Sequence, residues 1–160
     1  MAHPLRIRIL SLTTGAAMSA SEIADELGIE HAAASYHARQ LANARLLQVV
    51  DDSGKRSGPG RPLVRYRYVA GRSPRLGRAV GEEAVWAALA QDLRRRLRAR
   101  TSKHVGADAE VWMAPADFAE IRSLVQHIAD LIHERARAPH ARATIHGSVT
   151  ALAFKLRDAR

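Results

Sequence analysis

Two short helices joined by a tight turn constrain the fold of this chain more than any other feature of its sequence. Ser19 and Glu22 form a capping box, in which each side chain satisfies a backbone N–H at the helix start, so a helix is predicted over residues 20–27. Gly28 ends this helix, and a second helix is predicted over residues 31–44. Two helices separated by a three-residue turn that contains glycine are typical of a helix-turn-helix.

The second of these helices has two faces of different character. At about 100° per residue, the first face holds Ala34, Ala38, Leu41 and Arg45. Its small residues suit close packing on the preceding helix. The opposite face holds Ala32, Ser35, Tyr36, Arg39 and Asn43. Short polar, aromatic and arginine side chains of this kind contact base edges in a DNA groove, so the pattern favours a recognition helix, with ordinary solvent exposure as the alternative.

Two histidines of the same helix have separate interpretations. His31 lies near the helix N-terminus, where a side chain can reach a DNA phosphate. His37 lies at the edge of the packed face. We interpret His37 as a structural hydrogen-bonding residue rather than as a catalytic or ligating group.

The elements around this pair of helices complete a familiar order. A first helix is predicted over residues 4–13, and strands are predicted over residues 46–50 and 63–69. The loop between the strands, residues 51–62, is rich in Gly, Pro and Ser and carries Lys55, Arg56 and Arg61. Three helices followed by a β-hairpin with a long basic tip form a winged helix.

The chain continues with a linker over residues 70–80 and a long helix over residues 82–100. The apolar stripe of this helix, on which we predict dimerisation, consists of Val85, Trp86, Leu89 and Leu93. The alternative is that the stripe packs on the last helix within one chain. The arginines at the end of the long helix match the helix dipole, and a second phosphate-binding patch is the less favoured interpretation.

The last third of the sequence predicts a short strand over residues 110–113, a helix over residues 115–136 and a strand over residues 144–154 that pairs with the first. The stripe of this last helix consists of Phe118, Ile121, Leu124, Val125, Ile128, Leu131 and Ile132. A second small unit of mixed α/β structure is therefore expected after the long helix.

These elements divide the chain into three regions. A winged-helix DNA-binding domain spans residues 1–70, the linker and long helix span residues 71–104, and a dimerisation or effector region spans residues 105–160. The predicted fold class is mainly α (α+β): a winged helix-turn-helix followed by a long linker helix and a small C-terminal α/β dimerisation or sensor region.

The positive charge of the chain is concentrated in one segment. The net charge is +9, yet residues 55–103 contain 14 Lys/Arg against 3 Asp/Glu, whereas the rest of the chain contains 11 against 13. Such a basic segment favours a polyanionic partner, nucleic acid above all. The alternative is a solubilising surface.

Several classes of protein are excluded or disfavoured by what the sequence lacks. The absence of cysteine removes disulfides, thiolate metal sites and cysteine nucleophiles. No apolar stretch approaches the roughly 18 residues of a membrane span, and the N-terminus lacks the apolar core of a signal peptide, so we expect a cytoplasmic protein without a membrane partner. Gly58-Pro-Gly-Arg-Pro62 lacks the Lys-Ser/Thr of a phosphate loop, and no hydrolase or zinc-protease motif occurs. Neither an enzyme nor a cofactor is expected.

Four segments of the first half carry a family resemblance: His3-Pro-Leu-Arg-Ile-Arg-Ile-Leu10, Ser21-Glu-Ile-Ala-Asp-Glu-Leu-Gly28, Ser35-Tyr-His-Ala-Arg-Gln-Leu41 and Arg65-Tyr-Arg-Tyr68. They resemble the first helix, second helix, recognition helix and returning wing strand of ArsR-type winged-helix transcriptional regulators, with Ala38 where leucine is usual. The resemblance covers about residues 3–69. Segments 108–112, 131–134 and 149–154 resemble a group of such regulators common in actinobacteria.

The resemblance implies a cytoplasmic homodimer that binds a palindromic operator in double-stranded DNA and usually represses. It places Ser35, Tyr36 and Arg39 in the major groove. It also places Lys55, Arg56 and Arg61 of the wing on phosphates or in the minor groove. A small-molecule effector is compatible with it, and relatives often carry a helix before the His-Pro-Leu-Arg segment.

The chain departs from the metal-sensing members of that family. Residues 26–31 contain no cysteine pair. Of the C-terminal candidates His127, Asp130 and His133, the two histidines lie on different faces of the helix, whereas Asp130 and His133 are three positions apart and could bind one ion together. Metal sensing is therefore not expected.

We therefore predict a sequence-specific DNA-binding regulator. The predicted DNA-contacting residues are His31, Ala32, Ser35, Tyr36, Arg39, Lys55, Arg56 and Arg61. Two rival functions remain: a winged-helix protein-interaction module with an exposed apolar patch in its C-terminal half, and a non-specific nucleic-acid binder.

Overall fold

The structure, a computed structural model, describes residues 3–56, 62–68, 82–101 and 104–156, without the side chains of residues 51–56, 62, 63 and 82. In chain order the elements are α1 (Pro4–Gly15), β1 (Met18–Ser19), α2 (Ala20–Leu27), α3 (His31–Asn43), β2 (Leu47–Arg56), β3 (Pro62–Tyr68), α4 (Glu82–Arg98) and α5 (Pro115–Arg135). The predicted α+β winged helix-turn-helix is confirmed. The predicted linker over residues 70–80 lies outside the described residues, so the boundary at residue 70 stays a prediction.

The capping box starts α2 as the sequence predicts. The Ser19 N–H donates to Glu22 Oε2 over 2.7 Å, and the Glu22 N–H donates to Ser19 Oγ over 3.2 Å. Helix α1 has a cap that the sequence did not predict, since His3 Nδ1 accepts a hydrogen bond from the Leu5 N–H over 3.2 Å. Pro4 occupies the first turn of α1, where the missing N–H removes no intrahelical bond.

Gly28 ends α2 in a left-handed conformation with a φ of 63°. The Ile29 N–H donates to the Ala24 carbonyl over 3.0 Å, and the Gly28 N–H donates to the Asp25 carbonyl over 3.3 Å. This pair of bonds is a Schellman motif, in which glycine adopts the positive φ without a steric penalty.

Arg45 ends α3 in the same motif without being glycine. Its φ is 60°, the Leu46 N–H donates to the Leu41 carbonyl, and the Arg45 N–H donates to the Ala42 carbonyl, each over 2.9 Å. The prediction that Arg45 lies on the packed face of α3 is wrong, because the helix stops at residue 43 and the left-handed turn leaves Arg45 exposed.

The three strands form one antiparallel sheet in the order β1-β3-β2. Tyr66 of β3 lies between Met18 of β1 and Val49 of β2. Strand β1 was not predicted, because a two-residue bridge has no periodicity to read. Strand β2 continues to Arg56 with an irregularity between Asp52 and Arg56. The predicted loop over residues 51–62 is therefore too long, since pairing with β3 orders residues whose composition alone indicates a loop.

The core of the described chain lies between the three helices and the sheet. Ile9, Ile23, Ala34 and Ala38 are completely buried, and each helix contributes at least one of these residues. The same cluster includes Met18, Ala24, Leu41, Leu47 and Tyr66. The buried face of α3 is thus the predicted face of small residues, which allows close approach to α2.

The C-terminal half has a different organisation. Helix α4 packs against α1 and buries Ala88 and Asp92. Helix α5 buries none of its residues. The predicted strands over residues 110–113 and 144–154 are wrong, since both segments are irregular and neither pairs with the sheet or with the other segment. A strand needs a partner for its backbone hydrogen bonds, and residue preference alone does not supply one.

Three contacts nevertheless bring the end of α5 and the following residues back to the winged helix. The rings of His133 and Tyr68 stack with centroids 5.2 Å apart. His140 Nε2 lies 3.1 Å from Glu26 Oε2. A Cβ on Gly15 would collide with the backbone of residue 137, so this close approach requires glycine.

Candidate nucleic-acid interface

Helix α3 presents its predicted recognition face to solvent. His31, Ala32 and Arg39 are exposed, Tyr36 is 52% exposed, and Ser35 is half-buried. The opposite face is anchored in the core, so the backbone of α3 is rigidly held beneath these side chains. A rigid helix with one exposed polar face is the geometry that major-groove reading requires.

Arg39 is partly preorganised by its own helix. Its Nε donates to the Ser35 carbonyl oxygen over 3.2 Å, one turn earlier. Its two Nη groups have no partner among the residues that the structure describes. The planar fork of a guanidinium held in this way can donate two parallel hydrogen bonds to a guanine edge or to a phosphate.

His37 differs from its predicted role. Its Nδ1 is buried and has no hydrogen-bond partner within the described part of the chain. The ring instead stacks on His3 with centroids 4.9 Å apart and meets the ring of Tyr36 edge-on at 5.2 Å. Burial, together with the positive charges of His3 and Arg6, lowers the pKa of His37. The residue therefore joins α3 to the start of α1 by ring packing.

The wing is described only in part. Lys55 and Arg56 lie in β2, but their side chains are outside the described residues, as is the whole of Arg61. The backbone of Arg56 pairs with that of Pro62 at the far end of the described β2–β3 hairpin. The contacts of these three side chains with DNA stay a prediction.

Arg65 is a structural residue of the wing strand. Its Nη1 donates to the Ala17 carbonyl over 2.8 Å, and its Nη2 forms an ion pair with Glu22 Oε1. Burial alone would raise the pKa of Glu22, but hydrogen bonds from Ser19 and the charge of Arg65 outweigh it, and the pKa is lowered. The link joins α2 to β3 across 43 positions, a separation at which no local pattern could have predicted it.

The predicted dimerisation residues are not buried within the chain. Val85, Leu89 and Leu93 are half-buried, and Trp86 is 41% exposed. The buried face of α4 is the adjacent one that meets α1. Packing of α4 on the last helix within one chain, the alternative interpretation, is not the principal contact, because α4 lies mainly against α1. The role of these four residues in dimerisation stays a prediction.

The candidate metal ligands of α5 make separate contacts. Asp130 Oδ1 accepts a hydrogen bond from Gln126 Nε2 over 3.0 Å. His133 Nδ1 lies 2.6 Å from the Ala129 carbonyl oxygen, and its ring stacks on Tyr68. Among the described residues, no group of three potential ligands is close enough to hold a metal ion. No helix in the described part of the chain is both long and apolar enough to cross a membrane.

Comparison with known proteins agrees with this geometry. Residues 1–50 match a family model described as a helix-turn-helix domain, and this range includes α1, α2, α3 and the start of β2. A search of curated proteins found no match to the chain. The matched domain and the exposed face of α3 together indicate a DNA-binding regulator.

Proposed function

We propose that the protein is a homodimeric winged-helix transcriptional repressor of the ArsR type that binds a palindromic operator. The observation that carries the proposal is the division of α3 into two faces. Ala34 and Ala38 are completely buried, whereas Tyr36 and Arg39 on the opposite side are exposed. The match to a helix-turn-helix domain supports the use of this exposed face for DNA.

Different side chains of α3 make different contacts with the DNA. Arg39 donates to a guanine edge, and Ser35 and Tyr36 offer hydroxyl groups to neighbouring bases. His31 and the free N–H groups at the start of α3 bind a phosphate. The arginines and lysine of the wing neutralise further phosphates, so affinity falls steeply as salt rises.

Dimerisation would explain the exposed apolar residues of the C-terminal half. Leu124 and Ile128 of α5 are 56% and 36% exposed, and Trp112 and Phe154 outside the helices are 91% and 66% exposed. Leu124 and Ile128 are one helical turn apart on α5, and adjoining exposed apolar side chains mark an interaction surface. A two-fold symmetric dimer presents two α3 helices to two half-sites, and for this reason the operator is expected to be palindromic. The protein acts by binding, without catalysis and without a resident metal.

The first experiment is fluorescence anisotropy with a labelled duplex from the region upstream of the gene and a scrambled duplex, at about 50 and 200 mM salt. We expect a preference of about 10³ or more for the upstream duplex that survives added salt. Equal binding to both duplexes that is abolished by salt would replace the proposal with non-specific nucleic-acid binding.

Arg39→Ala tests the direct contact. We expect a loss of about 1–3 kcal/mol on the upstream duplex and a smaller preference over the scrambled one. The matched control is Arg122→Ala, because Arg122 is exposed on α5 and lies outside the proposed interface. If Arg39→Ala binds the upstream duplex as tightly as the control variant, α3 is not the reading helix.

A protein-interaction module is the second candidate, and the same apolar exposure favours it. Under that function the chain would be monomeric on its own, and neither duplex would bind at either salt concentration. Sedimentation of the free chain and the anisotropy experiment together separate the two candidates. The proposed regulator is a dimer that binds the upstream duplex, whereas an interaction module is a monomer that binds neither duplex.

A further inference from the structure

A groove of about 1000 Å³ lies between the first turn of α1 and the end of α4. Its charged and polar lining includes His3, Arg8, Asp92, Arg94, Arg95 and Arg98. Its apolar lining includes Pro4, Leu5 and Ala99. The groove is separate from the exposed face of α3, and the proposed reading of DNA does not use it.

Asp92 is the one acidic residue among the described residues that line the groove, and its charge is already paired. It is 4% exposed. Its Oδ1 lies 2.8 Å from Arg95 Nη2, and its Oδ2 lies 3.0 Å from Arg96 Nε. A buried carboxylate held by two guanidinium groups fixes the end of α4 and leaves little negative potential for the groove.

The other arginines of the groove keep their charges available. Arg8, Arg94 and Arg98 form no hydrogen bond or ion pair within the part of the chain that the structure describes. Arg8 projects from α1, while Arg94 and Arg98 are exposed and one helical turn apart on α4. Guanidinium groups that line one groove from two helices match ligands with more than one phosphate or carboxylate group.

The lining of this groove suits a small anionic ligand. Small-molecule sites are concave, with volumes of about 300–1,000 Å³, and combine apolar walls with a few polar groups. Pro4, Leu5 and Ala99 provide such a wall. Duplex DNA is convex and contacts protruding elements such as α3 and the wing.

His3 connects the groove to α3. It lines the groove, caps α1 by accepting the Leu5 N–H and stacks on His37. His37 in turn meets Tyr36 of the exposed face. A ligand that contacts His3 is therefore linked to Tyr36, a proposed DNA-reading side chain, through two ring contacts: His3 with His37, and His37 with Tyr36.

We propose that the groove binds a small polyanion with two or more phosphate or carboxylate groups, and that its occupation weakens DNA binding. The bound anion adds negative charge beside α3 and shifts the His3–His37 stack. The binding step depends on the groove alone, whereas its effect on DNA rests on the proposed function.

Calorimetric titration of the DNA-free full chain tests the binding step, with inorganic pyrophosphate and citrate as probes at constant ionic strength. We expect saturable binding of one anion per chain for at least one probe, and the stronger probe identifies phosphate or carboxylate as the preferred group. The double variant Arg94→Gln/Arg98→Gln should weaken that binding at least tenfold. Arg122→Gln on α5 should leave it unchanged. Absence of saturable binding, or equal binding by the double variant, overturns the proposal.

Anisotropy with the upstream duplex tests the coupling. Saturation with the stronger probe should lower the DNA affinity of the unmodified chain at least threefold and leave that of the double variant unchanged. Without a probe, the double variant should bind DNA within twofold of the unmodified chain. A large loss without a probe would mean that the groove holds DNA phosphates instead. If the unmodified chain binds the anion but no DNA, the proposed function fails and the anion site stands.

Discussion

The two halves of this chain differ in how far they bury their apolar residues. Within residues 3–68, Ile9 and Ile23 are completely buried, and the helices and sheet share one core. Within residues 104–156 no residue is buried, although α5 alone has 21 residues. Both halves have the apolar periodicity of core helices. Apolar periodicity therefore identifies which face of a helix can be buried. Whether that face is buried depends on a second surface that packs against it.

The N-terminal half supplies that second surface from its own chain. α1, α2 and α3 follow one another at short intervals and cover the same sheet, so each helix finds its partner nearby. Among the described residues, α5 contacts α1 and stacks His133 on the ring of Tyr68 near its C-terminal end. Its exposed stripe is the surface that the proposed dimer would cover.

The largest expected effect compares isoleucines in the two halves. Ile23→Ala should lower the free energy of unfolding by about 2–5 kcal/mol, since it leaves a cavity in a closed core. Ile121→Ala, at a position 39% exposed, should change it by less than about 1 kcal/mol in dilute solution. Urea denaturation followed by circular dichroism at low protein concentration measures both. Equal losses would show that α5 is buried within the single chain and would remove the contrast.

The next largest effect concerns the surface that covers the exposed apolar stripe of α5. Leu124→Glu combined with Ile128→Glu places charges on the exposed stripe and should weaken self-association by about 2 kcal/mol or more, roughly 30-fold. Sedimentation over a range of concentrations measures the dissociation constant. The control is Arg122→Glu, which changes charge on the same helix at an exposed polar position. If the double variant dimerises as well as the control does, the α5 stripe is not the dimer surface.

A smaller effect compares the starts of two helices. Ser19→Ala removes the cap of α2 and should destabilise the chain by about 1 kcal/mol. Ala114, the N-cap residue of α5, forms no side-chain cap, and Ala114→Ser should stabilise the helix by up to a similar amount. Thermal unfolding of both variants checks that Ser19→Ala lowers the stability of the chain and that Ala114→Ser raises it. A loss of stability in Ala114→Ser would mean that α5 begins elsewhere.

The stability that the capping box of α2 contributes depends on pH through Glu22. Because its folded pKa is lowered, its stabilising contribution is present above its ordinary pKa of 4.5 and is lost as the pH falls through the lowered value. Glu22→Gln should therefore flatten the acid limb of the stability curve. An unchanged acid limb would assign that loss of stability to other groups.

The smallest effect compares the two Schellman ends. Arg45→Gly should raise the free energy of unfolding by about 0.5–1 kcal/mol, because glycine adopts the φ of 60° without the steric penalty of a side chain. Gly28→Ala, at a φ of 63° with nothing near the added Cβ, should lower it by about 1 kcal/mol. Urea denaturation measures both. A loss of stability in Arg45→Gly would show that the Arg45 side chain contributes more than its backbone strain costs.

The sequence by itself determined the features that depend on contacts within about five residues. The capping box, the glycine at the end of α2 and the two faces of α3 all belong to this class. These interactions form wherever the local backbone is helical. They were enough to predict the winged helix and the side of α3 that faces solvent.

Only the tertiary structure decided the features that join distant segments. The ion pair of Arg65 with Glu22, the ring stack of His3 on His37 and the groove beside it arise from approaches that no local pattern contains. The same holds for the segments over residues 110–113 and 144–154, whose β-forming residues find no strand to pair with. A local preference is a small free energy, and a partner in space determines whether that preference becomes structure.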